Sequence, residues 1–183
     1  MSIKKKFFTT RTLAQAAIIA AVYAVLTVPN PLAFGVVQVR FSEALTILPL
    51  FTPVAIPGLF AGVLISNIIA GYGWIDMIFG SLATLIAAWM TYAIGRKLLS
   101  TAVESNIFEK WEILKFHIAV FPPIIVNAVV VGFYLYMFIF PGEYALWFAM
   151  GFVGLGQVIA CYGLGAVLYN ALKKTKGKFY AKN

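Results

Sequence analysis

An amide, a cation and an anion fall within one short stretch, Gln38-Val39-Arg40-Phe41-Ser42-Glu43, directly ahead of an apolar run. Residues of these types at a membrane boundary can clamp a polar ligand, because ionisable groups near membrane depth are costly to keep and commonly serve function. The stretch also admits a plainer reading as a helix start, with Ser42 as N-cap, Glu43 in the first turn facing the positive end of the dipole, and Arg40 extending outward. Asn67, Tyr72, Trp74 and Asp76 could line the same cavity. Each has an ordinary alternative: Asn67 as a bridge between helices, Tyr72 and Trp74 as belt aromatics, Asp76 as an N-cap. Asn127 and Gln157 reach similar depth if their helices are antiparallel, so they either bond to each other or face a ligand. For Gln157 the expectation is direct pairing with Asn127.

Other chemistries are excluded. No G-x-x-x-x-G-K-[ST] loop is present, so this polypeptide does not hydrolyse a nucleotide by that route, and any pumping draws its energy from another protein. His117 is the only histidine, which removes H-E-x-x-H zinc chemistry and leaves an interfacial residue at a cytoplasmic helix start. Cys161 is the only cysteine; it forms neither an intramolecular disulfide nor a Cys-based metal site and is expected to pack. A small intramembrane enzyme would need His, Asp or Glu at metal-ligand spacing, and Asp76 has no D-x-x-D companion. The expectation is a non-enzyme with no catalytic residue, metal or cofactor.

The elements that must position these residues are membrane helices. Of 183 residues, 62% are hydrophobic and 11% charged, with a mean hydropathy of +0.93, against about 25% charged in soluble domains. Apolar segments run from Thr12 to Val28, Ala44 to Phe51, Ile56 to Ala70, Asp76 to Ile94, His117 to Ile139 and Tyr144 to Leu172. Lys4, Lys5 and Lys6 resemble the charged start of a signal peptide. However, Leu13 to Val28 is long for its apolar region and no A-x-A site follows. Pro49, Pro53 and Pro57 leave Phe41 to Ala70 as either one broken span or two short helices, and Pro122 and Pro123 are expected to kink the fifth segment.

Charge placement chooses between one span and two. Of 14 basic residues, 13 fall in three places: Lys4, Lys5, Lys6 and Arg11; Arg96, Lys97, Lys110 and Lys115; and Lys173, Lys174, Lys176, Lys178 and Lys182. Cytoplasmic loops are enriched in Lys and Arg, and all three groups share one side only if two spans lie between Phe41 and Ala70. The chain is therefore expected to be an all-α integral membrane bundle of six helices, one domain over 1–183, with N- and C-termini cytoplasmic. The loops Pro29 to Ser42, Gly71 to Ile75 and Phe140 to Glu143 then lie outside. Glu43, Asp76 and Glu143 against Arg40 give that mouth a formal charge of −2. The net charge of +8 reads as topology, not as nucleic-acid binding.

Small residues at four-residue spacing let helices approach closely in lipid. The first segment carries Ala16, Ala20 and Ala24 and, one residue along, Ala17 and Ala21; the third carries Gly58, Gly62, Ser66 and Ala70. Such stripes serve internal packing or offer a smooth face to a partner protein.

Three stretches, QVRFSEALTILP (38–49), PGLFAGVLISN (57–67) and GYGWIDMIFGSLA (71–83), resemble the QueT family, the queuosine-precursor S components of energy-coupling factor (ECF) transporters. The similarity of plan covers nearly the whole chain, while the later helices match in character only. The resemblance implies six helices in a bacterial cell membrane and a small-molecule substrate site opening outward. It also implies partnership with a transmembrane coupling protein and two ABC ATPases. An A-x-x-x-A face on the first helix would dock on the coupling protein, a role open to Ala16 and Ala20 or Ala17 and Ala21, with Gly58 and Gly62 as further candidates. The implied ligand is a 7-deazaguanine. Its N–H edge suits a carboxylate, its carbonyl suits an Asn or Arg donor, and its faces suit aromatic stacking. Arg40, Glu43, Asn67, Tyr72, Trp74, Asp76 and Asn127 are the substrate-binding candidates. An S component for thiamine, riboflavin or biotin, and a free-standing secondary transporter, are the alternatives.

Overall fold

A computed structural model describes residues 9–34, 37–71, 73–104 and 111–173. Tyr72, Lys4, Lys5, Lys6, Lys110 and the lysines beyond Lys173 lie outside the described residues. The first helix, Thr10–Thr27, starts on a capping box in which Thr9 and Thr12 bond each other's backbone N–H, and its alanine-rich sequence favours the helical state. A loop follows, tied by Val39 N–H to the Leu32 carbonyl at 2.8 Å and by the Asn30 amide to the Val39 carbonyl at 2.7 Å.

Two separate helices occupy the region expected to hold two spans. The second, Phe41–Leu50, is wound as a 3₁₀ helix with Pro49 inside it. The third, Ala55–Ala70, takes Pro57 in its first turn and ends at Gly71 with φ 71°, a left-handed cap that glycine adopts without a Cβ penalty. A 3₁₀ run of ten residues is long for a geometry with poorer hydrogen bonds. Its slimness has a use here: the second helix packs against all five other helices, and most of its side chains are buried.

The fourth helix opens with a widened π-type turn at Asp76–Gly80 and continues as Ser81–Glu104. The fifth runs Trp111–Tyr134 through Pro122 and Pro123, then widens at Leu135–Ile139. The sixth is Leu146–Tyr162, broken at Gly163 and resumed as Leu164–Lys173. All described secondary structure is helical. Four stretches are long and apolar enough to cross a membrane: Thr10–Thr27, Asp76–Lys97, Leu114–Ile139 and Leu146–Lys173. Phe41–Leu50 and Ala55–Ala70 are apolar but shorter.

Burial is inverted relative to a soluble protein. Ile18, Val25, Trp89, Phe121 and Val167 are exposed, whereas Arg40, Glu43, Asn67, Asp76, Asn127 and Gln157 are buried. Such a surface is stable when lipid covers it, and a polar interior in a membrane helix bundle marks a site.

Candidate functional site

The slim second helix sets the geometry of the site. In a 3₁₀ helix residues three apart eclipse one another, so Arg40, immediately before the helix, and Glu43, one turn in, stand in line. The Glu43 N–H bonds the Arg40 carbonyl at 3.0 Å. The Arg40 guanidinium folds back inward. Its Nε donates to the Ala33 carbonyl at 2.9 Å, the Phe34 ring lies 5.4 Å from Cζ, and Nη2 stands 3.8 Å from Asp76 Oδ1. Arg40 therefore does not extend to the headgroups. Asp76 gives it a charge partner inside, and the loop carbonyl fixes its stem.

Glu43 is reached from three other helices. The Tyr23 hydroxyl donates to Oε1 at 2.5 Å and the Asn127 amide to Oε2 at 3.4 Å, while Gln157 also bonds the carboxylate. The expected direct pairing of Asn127 with Gln157 is thus replaced by convergence of both on Glu43, the charged acceptor between them. Ser42 does not cap the helix. Arg40 holds the N-cap position, and Ser42 shares a 2.5 Å hydrogen bond with Thr27 of the first helix. Cys161 packs below, its thiol 3.6 Å from the Glu43 carbonyl.

Asp76 is no N-cap either, because the helical turn begins ahead of it at Trp74. Its carboxylate accepts the Tyr134 hydroxyl through Oδ1, and the Asn67 amide donates to its backbone carbonyl at 2.9 Å. Asn67 thereby bridges the third and fourth helices. Gly80 makes room for this, since a Cβ there would lie 2.9 Å from Asn67 Nδ2 and 3.5 Å from Asp76 Oδ1. Among the described residues, three buried atoms have no hydrogen-bonding partner: Arg40 Nη2, Asn67 Oδ1 and Asp76 Oδ2. They amount to one donor and two acceptors, a set able to meet a planar polar edge.

This arrangement sits within a chain whose residues 13–174 match the family model described as QueT transporter. The chain belongs to the QueT transporter family. It is accordingly a multi-pass membrane protein of a transporter family, not of an enzyme family. No curated protein and no solved structure matches it.

Within this QueT fold, Arg40, Glu43, Asn67, Asp76 and Asn127 come together. Trp74 does not join them, being 65% exposed, and Tyr72 lies outside the described residues. His117 stands at the other end of the fifth helix, its Nδ1 3.0 Å from the Tyr162 hydroxyl. Among the described residues no group of three His, Cys, Asp or Glu could hold a metal ion. Tyr23 and Tyr134 were not candidates from the sequence. Tyr134 carried a usable signal, because it follows Asn127 by seven residues and so returns to the same helix face.

The small-residue stripes separate by environment. A Cβ on Gly58 would lie 2.9 Å from the Ala16 carbonyl, and one on Gly62 would lie 2.6 Å from Tyr23 Cβ. Gly58, Gly62, Ala16 and the buried Ala20 thus seat the third helix on the first, and the two glycines are closed to a partner by that contact. Ala17 and Ala21 face outward on the first helix.

Proposed function

We propose that this chain is the substrate-binding S component of an ECF-type importer in the bacterial cell membrane. It captures a 7-deazaguanine precursor of queuosine from outside for uptake powered by partner ATPases. The observation that carries the reading is the trio of buried, unsatisfied atoms in a QueT chain: Arg40 Nη2, Asn67 Oδ1 and Asp76 Oδ2. Leaving such groups unpaired costs about 1–3 kcal/mol each, so a ligand that satisfies all three gains that much in binding and in selectivity. The pyrimidine edge of a deazaguanine presents adjacent N–H donors for Asp76 and Asn67 and a carbonyl oxygen for Arg40. A base without that donor–donor–acceptor pattern leaves the same atoms unpaired.

The whole chain acts as one binding domain, with both termini cytoplasmic. Ala17 and Ala21 form the face that docks on the transmembrane coupling protein, since the other alanine stripe is taken up by the third helix. Binding itself needs no cofactor. The ATPases enter only afterwards, when the loaded protein delivers its cargo.

Calorimetric titration of the purified protein, without ATPases, tests this reading. Deazaguanines are expected to saturate one site, and Asp76→Asn is expected to weaken them about 100-fold by replacing an acceptor with a donor. Saturable binding of thiamine, riboflavin or biotin in their place would overturn the substrate assignment.

A further inference from the structure

Glu43 and Asp76 differ in how their charge is met. Arg40 turns to Asp76 at 3.8 Å. Glu43, 1% exposed, forms no ion pair among the described residues and takes neutral donors only: the Tyr23 hydroxyl and the Asn127 and Gln157 amides. One guanidinium against two carboxylates leaves this buried set with one negative charge in excess. Neutral hydrogen bonds offset part of the cost of burying a carboxylate, and a cation placed against it offsets much more.

The two carboxylates are also separated along the bundle. Asn127, which bonds Glu43, and Tyr134, which bonds Asp76, lie two turns apart on the fifth helix, roughly 10 Å along its axis. A flat bicyclic base with its polar edge at Asp76, carrying a short arm on the opposite end, covers a comparable length. The far end of such a ligand would then lie toward Glu43, the carboxylate of the two that forms no ion pair among the described residues.

We propose that Glu43 is a specificity-determining residue that recognises a protonated amine on the ligand, at the end opposite its base edge. This inference rests on reading the buried cluster as a deazaguanine site. The site consequently selects a deazaguanine bearing an alkylammonium arm over neutral analogues of the same ring. The charge of the ligand balances that of Arg40, Glu43 and Asp76 taken together.

The test is a calorimetric comparison of 7-aminomethyl-7-deazaguanine with its neutral 7-cyano and 7-methyl counterparts on the full-length wild-type protein. The aminomethyl compound is expected to bind about 30-fold more tightly, the yield of one close buried charge pair. In Glu43→Gln its affinity is expected to fall to that of the neutral compounds, which themselves move by less than about threefold. Equal binding of charged and neutral rings by the wild type would overturn the inference while leaving the deazaguanine reading intact. So would an equal loss of all three ligands in Glu43→Gln, which would mark a purely structural role. If none of the three binds, the inference and the reading fall together. The wild-type comparison decides the matter even if the variant does not fold.

Discussion

Glu43 on the second helix and Asp76 on the fourth are both buried, and each accepts a tyrosine hydroxyl from a neighbouring helix, Tyr23 and Tyr134 respectively. Among the described residues only Asp76 also forms an ion pair with a guanidinium, and of the two only Asp76 keeps an oxygen without a hydrogen-bonding partner. Their backbones differ in the opposite sense. Glu43 rides on an overwound 3₁₀ helix that fits among five neighbours, whereas Asp76 opens a widened turn whose first carbonyl is taken by the Asn67 amide. The difference shows two ways of keeping a carboxylate inside a membrane protein. One is paired with a guanidinium and keeps an oxygen open to a hydrogen bond. The other is held by neutral donors, and on the proposed reading it meets the charge of a ligand.

The sharpest way to break that comparison is to remove the guanidinium. Arg40→Met leaves Asp76 buried without a counter-charge and frees the loop at Ala33. The expected loss is about 3–5 kcal/mol, seen as a fall of roughly 10 °C in the thermal unfolding midpoint in detergent. Glu43→Gln is expected to leave that midpoint unchanged or raise it, because it removes a buried charge that forms no ion pair among the described residues. Midpoints shifted equally by both variants would mean that the two carboxylates are compensated alike.

The tyrosines sharpen the same contrast at smaller scale. Tyr23→Phe takes a short hydrogen bond from a carboxylate that forms no ion pair among the described residues, and is expected to cost about 2 kcal/mol of stability. Tyr134→Phe is expected to cost about half as much, because Arg40 remains to hold Asp76. Thermal unfolding of the two variants side by side measures the difference, and a larger effect at Tyr134 would reverse the assignment of the uncompensated pole.

Arg40, Glu43, Asn67, Asp76 and Asn127 were legible in the sequence because ionisable and amide groups stand out against apolar segments, and such groups seldom face lipid. Tyr23 was not, because a tyrosine inside an apolar run looks the same whether its hydroxyl meets a carboxylate or the headgroups, and Tyr134 was marked only by sharing a helix face with Asn127. Trp74 lies apart from the cluster for the mirror reason: proximity in sequence to Asp76 says nothing about which way an amphipathic ring turns at a helix start. Of the three prolines only Pro53 falls between the second and third helices, Pro49 lying inside the one and Pro57 in the first turn of the other, and it was charge placement that separated two helices from one. A proline pattern does not reveal that the second helix is wound as 3₁₀, since that choice is made by the space five neighbours leave. The stripe Gly58 and Gly62 announced a close helix approach without naming the partner, which proved to be the first helix of the same chain.

Gly80 offers the finest probe of the aspartate pole, because binding should respond where stability does not. Alanine is favoured over glycine in a helix by about 1 kcal/mol, and the added methyl would lie 2.9 Å from Asn67 Nδ2, 3.4 Å from the Tyr134 hydroxyl and 3.5 Å from Asp76 Oδ1. Asn67 must give way by a few tenths of an ångström, which roughly cancels the helical gain and leaves the unfolding midpoint within about 2 °C of wild type. Deazaguanine affinity is nevertheless expected to fall about tenfold, because Asn67 Oδ1 and Asp76 Oδ2 no longer present themselves to one planar edge. The preference for the aminomethyl arm over the cyano group is expected to survive, since Glu43 is bonded from the fifth helix two turns away from the tyrosine that bonds Asp76. Loss of that preference in Gly80→Ala, with the midpoint unchanged, would mean that the two carboxylates act as one unit.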